Sequence, residues 1–208
     1  MTQELRIIVQ LPLDRTKTGT LLLTDDAGNI LAGPYDVLGK SDNATATSHG
    51  NPNRDPLLPY GDTPEGVYGV SYAVATGAGT NFSEHSYGPY GGLVLQPVSG
   101  DALAAAAAGR IGLMVHSGDP GPTNPLRPTH GCLRLSNDSM NALMQALSSA
   151  SQVDGISCQM TRVSVLVGTD ADPAPTEDAG DPPPSMSAIL NGTYAGPSLP
   201  LPIRTPLP

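Results

Sequence analysis

The chain has 208 residues, enough for one sizeable core with a tail, or at most two small domains. Gly (24) and Pro (22) make up about a fifth of it, Trp is absent and Phe occurs once, so the core must come from Val, Leu, Ile, Ala and a few Tyr, and a turn-rich β fold is favoured. Ten Lys and Arg against nineteen Asp and Glu give a net charge of −9 with no basic cluster, which argues against a nucleic-acid partner and against docking on anionic membranes.

Leu5 to Leu13 (LRIIVQLPL) is a β-branched run closed by Pro12 and reads as a first strand rather than a signal peptide. Thr20 to Thr24 is a second strand. The turn Asp25–Asn29 leads into a third at Ile30–Leu31, which makes a hairpin. Gly39 to Pro59 is polar and reads as a long loop, the kind that often carries function. Gly66 to Ala75 alternates as a strand does, Gly77 to Gly91 is a glycine-rich loop, and Gly92 to Val98 is a strand. Ser99 is the expected cap of a helix over Asp101–Ala108 that Gly109 ends. Ile111 to Val115 is a buried-strand candidate that delivers His116 to its end. Ser136 caps a second helix, whose Met140, Leu143, Met144 and Leu147 fall at helical spacing and read as core. Thr161 to Val167 is the last strand.

Composition changes at Thr169. Ten of the final forty residues are proline and few large apolar ones remain, so residues 169–208 read as an extended or disordered tail on a domain spanning 1–168. No run of about 18 apolar residues occurs, so no membrane-spanning helix is expected.

The chemistry concentrates between Gly112 and Asn137. His116 is followed, fourteen residues on, by His130–Gly131–Cys132–Leu133–Arg134. A thiol attacks only as thiolate, and a cysteine near its usual pKa of ~8.5 is mostly protonated at neutral pH. A nearby imidazole, His116 or His130, can take the proton and hold it as a cation. Carbonyl attack also needs donors for the developing oxyanion; Gly131 lets the backbone approach closely and can free amides near the sulfur. On a strand Arg134 shares the face of Cys132, where it can hold a substrate carboxylate.

This segment resembles the signature of YkuD-type L,D-transpeptidases: a histidine, a spacer, then Ser/Thr–His–Gly–Cys, an apolar residue and Arg or Asn. Thr63–Pro64–Glu65–Gly66 is similar to a second element of that family. The resemblance spans roughly Leu5 to Val167 but is sharp only at these two places. It implies a mainly β, sandwich-like fold with one or two short helices and a site at strand ends, walled on one side by the loop Ser117–Pro128. It makes Cys132 the nucleophile, His116 the base and Ser117 the residue whose carbonyl orients that base. His130, Gly131 and Arg134 complete the substrate and oxyanion surroundings. Family members often have Gly where this chain has Ser117, a change that a carbonyl role tolerates. The implied substrates are peptidoglycan stem peptides, cleaved between a diamino acid and D-alanine through a thioester that passes to an amine or to water, with no cofactor.

Rival readings follow from the same residues. A zinc site from His116, His130 and Cys132 suffers from poor His-x-Cys spacing. A Cys132–Cys158 disulfide would mask the nucleophile; Cys158 otherwise reads as a small core residue. His49 and His85 read as surface residues, and Tyr87 and Tyr90 as packing. The whole can also be an idle wall-binding module. If an enzyme, it is either a housekeeping cross-linker of the periplasm or envelope, or an effector exported by type VI secretion and accompanied by an immunity or delivery protein. The effector setting, the second of the two, gains from the absence of a signal peptide and from the run Gly109–His116, which resembles the segment before the histidine in such effectors.

Overall fold

The computed structural model describes residues 3–119, 126–150 and 153–163. Three strands open the chain: β1 (Gln3–Pro12), β2 (Gly19–Thr24) and β3 (Ile30–Val37), joined antiparallel in sequence. In β1 the alternation is strict. Leu5, Ile7, Val9 and Leu11 are fully buried, while Glu4, Arg6 and Gln10 face out. Each buried side chain of this size contributes roughly 1.5–3 kcal/mol relative to exposure.

The remaining elements are α1 (Asn43–Ser48), β4 (Gly66–Val74), α2 (Glu84–Tyr87), β5 (Gly92–Ser99), α3 (Asp101–Ala107), β6 (Met114–His116), β7 (Leu133–Arg134), α4 (Asn137–Ser149) and β8 (Val153–Val163). The strands form one sheet in the order β3-β2-β1-β8-β4-β5-β6-β7, with β1/β8 and β6/β7 parallel. Just past β3, Leu38 exchanges both backbone hydrogen bonds with Arg134 of β7, at 2.9 and 2.8 Å. The two ends of the sheet therefore meet, and the sheet curls on itself. All eight strands, or residues next to them, send side chains into one core, which is filled from the other side by Met140, Leu143, Met144 and Leu147 of α4. The fold is mainly β, as the sequence indicates.

Several elements differ from expectation. Helices number four among the described residues. The polar stretch after Gly39 holds α1, capped by Asp42, and the glycine-rich stretch after Gly77 holds α2. Ser99 does not cap α3; it ends β5, and Gly100, at φ 73°, turns the chain with no side-chain cap. Ile111 is 41% exposed, and only Met114–His116 form the strand. The last strand begins at Val153, not Thr161, because a register shift opposite Gln3/Glu4 conceals the alternation of Val153, Ile156, Cys158 and Met160. Residues 164–208, including the tail and the end of that expected strand, lie outside the described residues, as do residues 120–125 of the loop expected to wall the site. No helix among the described residues is long and apolar enough to cross a membrane.

Candidate active site

The end of β6 and the start of β7 build the site. Parallel strands need a crossover of a dozen or more residues, and the fifteen residues between His116 and Cys132 provide it. The register pairs Val115 with Leu133 and His116 with Arg134. Val115 and Leu133 point into the main core. Alternation then sends Met114, His116, Cys132 and Arg134 to the other face. There Cys132 packs, half-buried, on a second small cluster of Val74, Phe82, Tyr87, Val94 and Met114. Cys132, the residue just before β7, thus comes next to the β6 strand that ends in His116. Cys158 lies on the opposite face inside the main core, and both cysteines are free thiols.

His116 is 3% exposed. Its Nδ1 donates to the carbonyl of Ser117 at 2.7 Å, which leaves the lone pair of the neutral ring on Nε2. The ring packs at a tilt on Tyr87, with centroids 4.8 Å apart. Tyr87 in turn meets Phe82 edge-on. Burial, reinforced by the Arg134 cation, lowers the His116 pKa to about 3, although the Ser117 and Ser86 carbonyls oppose the shift. Burial raises Cys132 to about 11, against a backbone hydrogen bond at Met114 and the cations of Arg110 and Arg134. The resting pair is therefore thiol and neutral imidazole. Desolvation outweighs both guanidinium groups, which fits transfer of the thiol proton to the imidazole during attack rather than before it.

Around the sulfur the backbone is braced. Gly131 sits at φ 107°, and a Cβ there would lie 2.0 Å from Arg110 Nη2 and 2.4 Å from the Gly61 carbonyl. Its N–H donates to Thr129 Oγ1 at 3.0 Å, and Thr129 Oγ1 donates to the Cys132 carbonyl at 2.9 Å. The Gly131 amide is thus in use inside the loop, not free for an oxyanion as expected. Thr63, fully buried, donates to the Gly131 carbonyl at 2.9 Å. The Thr–Pro–x–Gly element therefore holds the cysteine loop from behind.

Arg134 does share the face of Cys132, but its Nη1 and Nη2 donate to the Ser86 and Asp119 carbonyls at 2.9 and 3.0 Å. It ties α2 to the loop after His116. Ser117 is fully buried, and among the described residues its Oγ has no partner. His130 is half-buried and meets Tyr60 edge-on at 5.7 Å. Tyr60 stacks on His49 at 3.8 Å. His85 is exposed and its Nδ1 lies 2.6 Å from Asp119 Oδ2. Among the described residues no three His, Cys, Asp or Glu side chains gather as a metal site.

Sequence reasoning missed Arg110. It is 4% exposed, and its guanidinium donates to the carbonyls of Pro56, Gly61 and Asp62. Its signal was faint: a lone cation between Gly109 and an apolar run. Asp42, within the polar loop, and Tyr60, just after it, were passed over.

No family model matches the chain, and no curated protein matches it in sequence. Among solved structures it is similar to L,D-transpeptidase 1 of Mycobacterium tuberculosis, at 16% identity and a TM-score of 0.30, over 74% of this chain and 60% of that one. The chain thus spans less than two thirds of that protein, and a likeness this distant leaves the chemistry to rest on the geometry above.

Proposed function

We propose that this chain is a cysteine acyl-transfer enzyme acting on peptidoglycan stem peptides, with Cys132 as nucleophile and His116 as base. What supports the reading is the β6/β7 pairing, which brings Cys132, just before β7, beside the strand that ends in His116, together with the hydrogen bond from His116 Nδ1 to the Ser117 carbonyl. The motif resemblance supplies the substrate class.

In this reading the sulfur attacks the carbonyl at the L-centre of the diamino acid while its proton moves to His116 Nε2. The C–N bond breaks, D-alanine leaves with that proton, and a thioester remains on Cys132. A side-chain amine of a second stem, or water, then takes the acyl group, giving a cross-link or a shortened stem. Arg134 and Arg110 keep the surroundings of the sulfur positive, which favours the developing negative charge. Their guanidinium groups are engaged with backbone carbonyls, so they act from fixed positions.

Incubation with a disaccharide-tetrapeptide tests the reading. D-alanine should be released by the full chain, and not by Cys132→Ala or His116→Gln. Binding of the muropeptide without any release would instead favour an idle wall-binding module.

A further inference from the structure

A fully buried carboxylate, that of Asp42, lies beside the cysteine loop with one of its two oxygens unpartnered among the described residues. The backbone pairs Ser41 with Thr129 in parallel, through Asp42 N to the Thr129 carbonyl at 2.7 Å and Thr129 N to the Lys40 carbonyl at 3.1 Å. Asp42 and His130 each follow a residue of this single bridge, so their backbones lie next to one another. Asp42 Oδ1 caps α1 by accepting from Thr45 N at 2.7 Å. Among the described residues Oδ2 has no partner. An orphaned buried carboxylate oxygen costs free energy and calls for an explanation.

The neighbouring histidine offers one. His130 stands two residues before Cys132, and its ring meets Tyr60 edge-on. That wall is rigid. Tyr60 adopts a left-handed backbone at φ 58°, its carbonyl accepts from Ser41 Oγ at 2.6 Å, and its ring stacks on His49, which closes α1. Segment 41–49 thus supplies the carboxylate, the anchor of the wall and its outer ring. The charged or titratable groups bearing on His130 are Asp42 and His49, and His130 in turn bears on His116. Burial lowers the His130 pKa, so its ring rests neutral and can accept a proton, while Asp42 favours the cation once it forms.

We propose that His130 is a second acid–base group of this site, serving breakdown of the thioester, and that Asp42 is the positioning residue that orients and polarises it. This rests on the reading of function above. The incoming amine forms its C–N bond at the thioester carbonyl and gives a proton to a His130 ring nitrogen. The C–S bond breaks, the sulfur leaves as thiolate, and the proton passes from His130 to restore the thiol. The charge of the buried Asp42 side chain favours the imidazolium once it forms.

Asp42→Asn separates the two duties of the residue, because Asn caps helices as well as Asp does but carries no charge. In the full chain, single-turnover intact-mass measurements with a stem tetrapeptide should show the thioester forming at close to the wild-type rate. Its breakdown by added glycinamide should slow by roughly tenfold or more, so that the thioester accumulates. His130→Gln should behave alike, and Asp42→Ser, which also caps, should give the same split should the Asn variant fold poorly. Nitrogen-15 spectra of the resting protein should show the His130 titration midpoint moving down in Asp42→Asn. Breakdown at the wild-type rate, an equal fall in both steps, or an unmoved His130 titration would overturn the proposal. A wild-type chain that forms no thioester would sink the reading of function, while the titration still decides whether Asp42 and His130 are paired.

Discussion

Cys132 and His116 carry opposite shifts with one cause. Desolvation raises the thiol to about 11 and lowers the imidazole to about 3, so neither charge is present at neutral pH. In Cys158→Ser, which removes the buried core thiol, alkylation of Cys132 by iodoacetamide should climb steadily from pH 7 to pH 10. A rate already level at pH 7 would mean a standing thiolate and contradict this account. Gly131 is constrained twice, by its φ of 107° and by Arg110 at its back. Gly131→Ala should lose about 1–3 kcal/mol of stability, read from the denaturant midpoint, and most activity, because either Arg110 or the cysteine loop has to move. At this scale the sequence was readable where chemistry forces a rare combination, as in His116 and Cys132. Arg110 and Asp42 escaped because their roles depend on carbonyls and a histidine brought in from distant segments, 48 to 88 residues away in chain.

Elements with purely local causes were the legible ones. Ser136 caps α4 by accepting from Ser139 N, and its four apolar residues are buried at the expected spacing. The crossover length between His116 and Cys132 follows from strand geometry. Ser99 looked like a cap but lies in β5, since pairing with Val67 wins over a local cap. The start of β8 was hidden by its irregular register against β1. The Thr63 element stood out only by its family resemblance; Thr63 lies just before β4 and braces across to Gly131. Thr63→Val keeps the shape but leaves the Gly131 carbonyl without this donor. It should cost about 1–3 kcal/mol in thermal or denaturant unfolding and slow turnover more than it weakens substrate binding. A variant with unchanged stability and kcat would remove Thr63 from the site's support.

Across the whole molecule, the curled sheet joins the first three strands to the end that holds the candidate site. Leu38, just past β3, pairs with Arg134, and Arg134 is the register partner of His116. Closure of the sheet and geometry of the site are therefore one event, which no local pattern announces. Burial of His116 also couples the site to global stability. Its folded pKa lies below the unfolded value near 6.5, so it contributes no pH dependence above that value. As pH falls from 6.5 toward 3 the unfolded chain binds a proton that the folded chain refuses, and stability drops, on the order of a few kcal/mol. His130, shifted the same way, adds to this. His116→Gln should therefore gain stability relative to the wild type as pH is lowered from 7 to 4, measured by denaturant titration at each pH; parallel curves would show that the imidazole is not desolvated in the fold.

The most direct test of the central claim is a rapid-quench intact-mass experiment on the full chain mixed with a stem tetrapeptide, followed by peptide mapping. The account predicts a transient adduct equal to the acyl tripeptide, located on the peptide holding Cys132, and absent from Cys132→Ala. No adduct, or the same adduct surviving in Cys132→Ala, would contradict it.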